Sequence, residues 1–336
     1  MLRVKFGTQI DHDKAHSKLL EKEKDVSKKY KRALRELSLL EREKDALLEL
    51  RRGQKIHTIK PSRGEKMSEA TVVACASDWH VEEEVKKSKV SWLNEYNLDI
   101  ATERANHFFR KAASLTEKEQ QDVVIKEMVL FLGGDLISGN INEDVSENCS
   151  LRPIEAALFA QELLTSGINY LVNNSELRIT VICSCGNHSR ITGKTRVANE
   201  QGNSLEFFMY HTLQGRLHSD RVRFVIGDGY HTYFNIYDKV FRFHHGHSLR
   251  YQGGVGGITI PVNKAIAQWN KAKRVDYDIF GHYHVYMPLA NFISNGSMIG
   301  YNPYAVSIKA DFERPQQAMF LVDKARGVTY HFPILF

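Results

Sequence analysis

The chain of 336 residues has only four cysteines and no long apolar segment. Cysteines at positions 75, 149, 183 and 185 do not make the pattern of a disulfide framework. No apolar run approaches the roughly 20 residues that cross a bilayer, and residues 1–6 lack the apolar core of a secretory signal. We therefore expect a protein of the reducing cytoplasm that has no membrane partner.

Glycine and proline are missing from one long stretch, residues 14–52, which is dense in Lys, Glu, Leu and Arg. This composition predicts a long helix. Charge is unevenly distributed as well. Residues 1–66 hold 19 Lys and Arg against 11 Asp and Glu, which leaves 27 against 29 for the remaining residues. The positive excess of the protein therefore belongs to an N-terminal arm.

An apolar heptad runs along this arm. One seam position is filled at strict seven-residue intervals by Leu19, Val26, Ala33, Leu40 and Leu47; the second holds Tyr30 and Leu37 and is interrupted by Glu23 and Lys44. Three interpretations stay open: homo-oligomerisation through a coiled coil, a basic helix lying along a nucleic acid, and a charged helix docked on its own enzyme domain. The sustained heptad favours the coiled coil.

A change of composition after the arm indicates the domain boundaries. Pro61, Ser62 and Gly64 fall in a stretch that has the composition of a linker. We predict a basic helical arm over residues 1–52, a linker over 53–69 and a folded domain over 70–336.

Five apolar runs in the folded domain each lead into a segment of metal-binding side chains. The runs are residues 71–76, 128–132, 177–183, 240–243 and 277–280, and the segments are Asp78-Trp79-His80, Gly134-Asp135, Gly186-Asn187-His188, His245-Gly246-His247 and Gly281-His282-Tyr283-His284. Short loops at strand ends expose polar side chains on a rigid scaffold, so functional sites are often built there. The repetition indicates one shared site.

The residue types in these segments suit a pair of divalent cations. A bridging carboxylate with imidazole and amide ligands holds two such ions roughly 3.5 to 4 Å apart. The candidate ligands are Asp78, His80, Asp135, Asn187, His245, His282 and His284. His244 lies beside this set, but strand alternation lets only one of His244 and His245 face the metals, and the His-Gly-His pattern favours His245.

In its motifs and their order, the chain resembles the calcineurin-like metallophosphoesterase superfamily over residues 70–336. The resemblance implies a first metal held by Asp78, His80, Asp135 and His284, and a second held by Asp135, Asn187, His245 and His282. Asp135 then bridges the two ions. The implied fold is α+β, a four-layer αββα sandwich of two mixed sheets, here preceded by the long N-terminal helix.

The same resemblance implies hydrolysis of a phosphate ester. Hydroxide activated by the two ions attacks phosphorus, and His188 matches the histidine that assists the leaving group. Many members of the superfamily carry an acid directly after this histidine, whereas this chain has Ser189. Two alternatives stay open: another carboxylate orients the His188 imidazole from elsewhere in the chain, or His188 works less as an acid.

Loops near the motifs suggest how substrate is bound. We expect His247 to contact phosphate, and Arg190 and Arg250 to bind a phosphodiester chain. Trp79 and Tyr251 are candidates for stacking on bases.

The details of the motifs resemble phage and bacterial proteins described as DNA repair exonuclease-like metallophosphoesterases, which favours a nuclease acting on DNA. The alternative is a phosphodiesterase for small cyclic or signalling nucleotides, and a protein phosphatase or a non-catalytic scaffold is less favoured. Through the nuclease resemblance we expect two Mn²⁺ ions, while iron, zinc and nickel suit the same ligands.

Overall fold

The computed structural model describes residues 2–53, 68–141, 143–251 and 256–336. The chain divides into two compact units, Met1–Glu65 and Lys66–Phe336. Most of the predicted linker, residues 54–67, lies outside the described part of the chain. Among the described residues, no helix is both long enough and apolar enough to cross a membrane.

The first unit contains one helix, α1 (Leu2–Gly53), which starts earlier than the predicted residue 14. Pairs of opposite charge four residues apart, Lys29 with Asp25 and Arg32 with Glu36, lie on its surface and support the helix weakly. The seam residues Leu19 and Val26 are 69% and 65% exposed. The helix therefore presents its heptad to the surroundings.

The second unit contains thirteen strands and six helices among its described residues. The strands are β1 (Ser68–Ala76), β2 (Val123–Leu132), β3 (Arg178–Cys183), β4 (Val222–Ile226), β5 (Thr232–Ile236), β6 (Lys239–Phe243), β7 (Tyr277–Phe280), β8 (Met287–Pro288), β9 (Phe292–Ser294), β10 (Gln316–Gln317), β11 (Met319–Asp323), β12 (Gly327–His331) and β13 (Ile334–Leu335). The helices are α2 (Leu98–Glu119), α3 (Glu143–Ser146), α4 (Pro153–Asn173), α5 (Leu205–Arg216), α6 (Thr259–Ala272) and α7 (Pro303–Ile308).

Helix starts follow local capping chemistry. The side chain of Asn97 accepts a hydrogen bond from the N–H of Ile100 at the start of α2, and Ser204 does the same for Phe207 at the start of α5. These caps satisfy N–H groups that have no partner within the helix. Pro153 occupies the first position of α4, where its fixed backbone angle fits the helix.

The strands form two mixed sheets and a small β10–β13 pair. The six-stranded sheet has the order β12-β11-β1-β2-β3-β4, in which β1 to β4 are parallel and β11 and β12 are antiparallel to their neighbours. The five-stranded sheet has the order β5-β6-β7-β9-β8, with β6, β7 and β9 parallel. Parallel neighbours bring the ends of their strands to the same edge of a sheet.

Side-chain alternation along β1 shows how the layers are stacked. Val72 and Ala74 pack in a core shared with α2, α4 and α5, whereas Val73 and Cys75 pack in a second core with residues of β6 and β7. A third core lies between the far side of the five-stranded sheet and α6, where Phe280 meets Val262. Because successive strand residues point to opposite faces, this order is helix, sheet, sheet, helix. The predicted αββα sandwich is confirmed.

Candidate metal centre

The predicted metal ligands meet at one edge of the two sheets. The ends of β1, β2 and β3 are level, since Ala76 pairs with Leu132 and Leu132 with Cys183, and the loops that follow carry the ligands. Their nitrogen and carboxylate oxygen atoms form three groups, each within 4.8 Å: Asp78, His80 and His284; His80, Asp135 and His188; and Asp135, His245 and His282. The first and third groups correspond to the two predicted metal positions.

Asp135 lies between these positions. Its side chain is buried, Oδ1 accepts a hydrogen bond from the backbone N–H of His188 at 2.8 Å, and Oδ2 lies 2.9 Å from Nε2 of His245. It belongs to two of the three groups, one with His80 and one with His282. A single carboxylate is thus placed to serve both metal positions.

The ligand loops have an unusual backbone. Five of the predicted ligands adopt a left-handed conformation with φ between 47° and 69°: Asp78, His80, Asp135, His282 and His284. Residues other than glycine rarely adopt it, and such strain persists where the surrounding structure enforces it, often at functional sites. The backbone here is shaped to bring side chains together.

Two motif glycines allow the loops to approach each other closely. A Cβ atom at Gly186 would overlap Oδ1 and the backbone N of Asp135, and one at Gly281 would overlap Oδ2 of Asp78 and Oγ of Ser77. Only glycine leaves room for the carboxylates at these positions. The Gly-Asn and Gly-His patterns therefore belong to the packing of the centre.

Hydrogen bonds at Nδ1 orient two of the histidine ligands. Nδ1 of His80 lies 2.9 Å from Oγ of Ser138, and Nδ1 of His245 lies 2.7 Å from the carbonyl oxygen of Gly133. Because a carbonyl oxygen only accepts, the proton of His245 sits on Nδ1 in the neutral ring. Partners of this kind hold the ring so that Nε2 faces a metal.

The donor atoms fit divalent ions. Oδ1 of Asn187 is buried and has no hydrogen-bond partner within the described residues, although buried polar atoms are nearly always paired. Nε2 of His245 and Oδ2 of Asp135 face each other at 2.9 Å, and their two lone pairs require a cation or a proton between them. Nitrogen and oxygen donors of these types suit manganese, iron, zinc and nickel.

The electrostatics agree with this chemistry. Burial opposes the charged imidazole of His245, but the Asp135 carboxylate outweighs it and raises the pKa of His245 to about 10. Burial also lowers the pKa of His80 and of His282 well below 6.5, so both rings stay neutral. A divalent ion beside Asp135 would replace the proton on His245, because imidazole ligands bind metals in the neutral form.

Glu206 on α5 is a buried residue of the site that the sequence did not reveal. Its Oε1 accepts a hydrogen bond from the N–H of Leu136 and its Oε2 one from the N–H of Gly186, both at 2.7 Å. Leu136 follows Asp135 and Gly186 precedes Asn187, so one carboxylate joins two ligand loops. Burial, followed by the charge of Asp135, raises the pKa of Glu206 to about 7.

Ser138 joins further parts of the centre. Its Oγ contacts Nδ1 of His80 and donates to Oε2 of Glu83 at 3.3 Å, and its carbonyl oxygen accepts from Nδ1 of His188 at 3.0 Å. The partner of the His188 ring is thus a backbone carbonyl and not the carboxylate that the sequence left open. Ser189, which stands where an acid was expected, is buried and hydrogen-bonded to Ser204 at 2.8 Å.

His244, the neighbour of the ligand candidate His245, faces away from the metal groups. Its ring stacks on Phe280 with centroids 5.2 Å apart, and its Nε2 lies 3.4 Å from Oδ1 of Asp278. The same carboxylate forms a buried ion pair with Arg242 at 2.6 Å. His244 therefore belongs to a polar cluster behind the site.

The predicted substrate-binding residues occupy different surroundings. Nε2 of His247 lies 3.0 Å from Oε1 of the mostly buried Glu200. Nη1 of Arg190 donates to the carbonyl oxygen of Asn187 at 2.5 Å, so this guanidinium braces a ligand loop. Arg250 is exposed and has no hydrogen-bond partner within the described residues. Their contact with substrate stays a prediction.

The predicted stacking role of Trp79 is wrong. Its side chain is fully buried, packs against Phe108 and Phe109 with ring centroids 6.2 and 6.4 Å apart, and directs Nε1 to Gln317. A base cannot reach it. Tyr251 is 40% exposed, and its stacking stays a prediction.

No family model and no curated protein sequence matches the chain. A predicted phosphoesterase from Streptococcus pneumoniae matches 79% of this chain and 98% of its own, with 10% identity and a TM-score of 0.30. Vps29 from Entamoeba histolytica matches 79% of this chain and 99% of its own, with 14% identity and a TM-score of 0.31. Yfce, a phosphoesterase from E. coli, matches 78% of this chain and 99% of its own, with 13% identity and a TM-score of 0.33. At TM-scores near 0.3 the function has to be argued from the site itself.

Proposed function

We propose that this protein is a metal-dependent phosphodiester hydrolase of the calcineurin-like superfamily. The observation that carries the proposal is the position of Asp135, whose carboxylate is shared by the group that contains His80 and the group that contains His245 and His282. The unpaired, buried Oδ1 of Asn187 supports it. Two divalent ions bound here would activate water and offset charge on the phosphate oxygens.

The residues of the site have two proposed roles, metal binding and proton transfer. One ion would be held by Asp78, His80 and His284, and the other by Asn187, His245 and His282. Asp135 would serve both. The ring of His188 lies beside that of His80, with centroids 4.8 Å apart. When both ring nitrogens carry a proton, Nδ1–H donates to the carbonyl oxygen of Ser138. The proton on Nε2 can then pass to a departing oxygen, which leaves His188 as the neutral ring with its proton on Nδ1.

For the substrate, we propose a nucleic-acid strand, with DNA first. Arg190 and Arg196 lie near the ligand candidate Asn187, around a small cavity that Glu200 also lines. Positive charge beside the metal centre suits a phosphodiester backbone, because phosphate contacts position a strand without reading its sequence. The same two arginines also suit a small cyclic or signalling nucleotide, which is the alternative. We propose Mn²⁺ as the metal.

The test compares hydrolysis of single-stranded DNA, double-stranded DNA, cyclic nucleotides and a simple phosphomonoester in the presence of Mn²⁺. We expect cleavage of DNA by the wild-type protein and its loss in Asp135→Asn. The variant keeps an oxygen to accept the His188 N–H but lacks the bridging charge. Asp323→Asn, the same change at a buried aspartate that caps the turn after β11, is the matched control and should stay active.

Each outcome decides between the alternatives. Activity confined to the small nucleotides would replace the nuclease with a nucleotide phosphodiesterase. Unchanged hydrolysis by Asp135→Asn would refute the two-metal mechanism. Metal bound by the wild-type protein, with no hydrolysis of any ester, would favour a scaffold whose ions only stabilise the fold.

A further inference from the structure

The segment between His80 and α2 contains a loop with an exposed tip. Residues 86–95, here called the Trp92 loop, are closed at the base by reciprocal backbone hydrogen bonds between Val85 and Tyr96, at 2.9 and 3.0 Å. Just before this base, Glu83 accepts hydrogen bonds from Ser138 and from Asn302. Ser138 also contacts His80, so the loop begins beside a candidate metal ligand.

The Trp92 loop is held rigidly to the rest of the domain. Val90 is fully buried, and the Tyr96 hydroxyl donates to the carbonyl oxygen of Trp79 at 2.7 Å. The side chain of Asn94 donates to the carbonyl oxygens of Ile299 and Tyr301 at 2.8 and 2.9 Å. A surface fixed in this way loses little conformational entropy when it binds a ligand.

The tip of the loop presents a tryptophan that contributes little to the core. Trp92 is 76% exposed and the neighbouring Leu93 is 50% exposed. The backbone of Trp92 is left-handed, with φ at 64°, and its N–H donates to the carbonyl oxygen of Lys87 at 2.8 Å. Bulky residues rarely adopt this conformation. Because most of the ring is exposed, it is accessible to a ligand.

The Trp92 loop also carries three lysines and one glutamate. Lys86 and Lys89 are exposed, and neither has an ion-pair partner within the described part of the chain, whereas Lys87 pairs with Glu95 at 2.9 Å. Nucleic-acid surfaces that bind single strands combine these two features: an aromatic ring that stacks on a base and cations along the backbone. Bases within a duplex are already stacked and would not engage the ring.

We propose that the Trp92 loop is a binding site for single-stranded nucleic acid, in which Trp92 stacks on an unpaired base while Lys86 and Lys89 contact phosphates. This inference rests on the proposed phosphodiester hydrolase function and deepens it, because it names the form of the substrate and a contact outside the metal site.

The experiment measures binding of a fluorescein-labelled oligothymidylate by fluorescence anisotropy. Asp135→Asn is the background, so that bound strand is not cut. Loss of one base–aromatic stack weakens binding by about 1–3 kcal/mol. Adding Trp92→Ala should therefore raise the Kd by a factor between about 5 and about 100. Tyr330→Ala, which removes a 60% exposed ring on β12, is the matched control and should leave the Kd unchanged. A duplex of the same length should show no dependence on Trp92.

A second measurement tests the lysines without touching the tryptophan. For a single strand, each phosphate contact contributes about 0.7 to the slope of log K against log salt concentration. Lys86→Ala combined with Lys89→Ala should therefore reduce the slope by about 1.4. Circular dichroism confirms that each variant is folded before its affinity is compared.

The proposal is overturned if Trp92→Ala and Tyr330→Ala bind the oligonucleotide equally well, or if the duplex depends on Trp92 as strongly as the single strand. It is also overturned if phosphatidylserine vesicles, and not oligonucleotides, bind in a Trp92-dependent way. Hydrolysis of bis(p-nitrophenyl) phosphate by the wild-type protein tests the metal centre separately, because this ester contains neither a nucleic-acid base nor a strand. A failure of the binding proposal for the Trp92 loop and a failure of the proposed hydrolase function therefore give different results.

Discussion

The imidazole Nδ1 of His188 lies 3.0 Å from the carbonyl oxygen of Ser138. A carbonyl oxygen accepts but cannot donate, so it fixes the proton of the neutral ring on Nδ1 and leaves Nε2 free. In many members of the superfamily that the sequence resembles, an acid directly after this histidine is expected to orient the ring. Here a neutral group holds the orientation without adding negative charge beside it.

Replacement of His188 by Gln should slow hydrolysis most for esters with poor leaving groups. If Nε2 passes a proton to the departing oxygen, its loss costs about 10² to 10⁴ in kcat. A p-nitrophenyl ester, whose leaving group needs little protonation, should lose far less. The measurement is kcat for a series of phosphodiesters that differ in the pKa of the leaving group.

His218→Gln, the same change at an exposed histidine, serves as the control and should leave the whole series unchanged. An equal loss of kcat for good and poor leaving groups in His188→Gln would show that this residue positions phosphate and does not act as an acid.

Glu206→Gln should weaken both the fold and the metal centre. The amide NH₂ of glutamine would face one of the two N–H donors, Leu136 or Gly186, and leave that donor unpaired. An unpaired buried donor costs about 1–3 kcal/mol in the free energy of unfolding, measured by urea denaturation with a chelator present. Because the two loops carry Asp135 and Asn187, metal affinity should also fall by about 10- to 100-fold.

Glu162→Gln, a change at an exposed position on α4, is the control for Glu206→Gln. If Glu206→Gln lowers the free energy of unfolding but binds metal with unchanged affinity, Glu206 supports the fold without positioning the ligand loops.

His231 should make the fold sensitive to acid. Burial, followed by the charges of His244 and Arg242, lowers the pKa of His231 to about 3 from 6.5. Below pH 6.5 the unfolded chain therefore binds a proton on His231 that the folded chain does not bind. The free energy of unfolding consequently falls as the pH drops from 6.5 toward 3. In His231→Phe, which keeps a ring against Trp269, this fall should be shallower.

Urea denaturation at several pH values, with a chelator to remove metal effects, measures that fall. The exposed His218→Phe is the control and should follow the wild-type curve. Identical pH curves for wild type and His231→Phe would show that His231 is not the group that loses stability in acid.

The strand ends of this protein were predictable because each depends on a short local pattern. An apolar run followed by a segment of metal-binding side chains places ligand candidates just after the end of a strand, and the structure has β1, β2, β3, β6 and β7 at all five places. The glycines signal close packing that the structure shows at Gly186 and Gly281.

The supporting residues were not predictable, because they come from distant parts of the chain. Glu206 lies 70 residues from Leu136 and 20 from Gly186, and no local pattern links them. The different surroundings of Trp79 and Trp92 could not be predicted from local sequence either. Both are tryptophans near His80, yet one fills the core between Phe108 and Phe109 while the other is 76% exposed, and only the tertiary fold separates them.

The exposed heptad of α1 predicts self-association of the full-length chain. Leu19 and Leu40 are 69% and 63% exposed, and a coiled-coil seam buries such residues against a second helix. Leu19→Glu combined with Leu40→Glu should therefore lower the mass in solution, measured by light scattering, to that of one chain. Leu20→Glu, a leucine outside both seam positions, is the matched control and should keep the wild-type mass. A wild-type protein that already has the mass of one chain, 38.5 kDa, would reject the coiled coil and favour a helix that binds nucleic acid or its own enzyme domain.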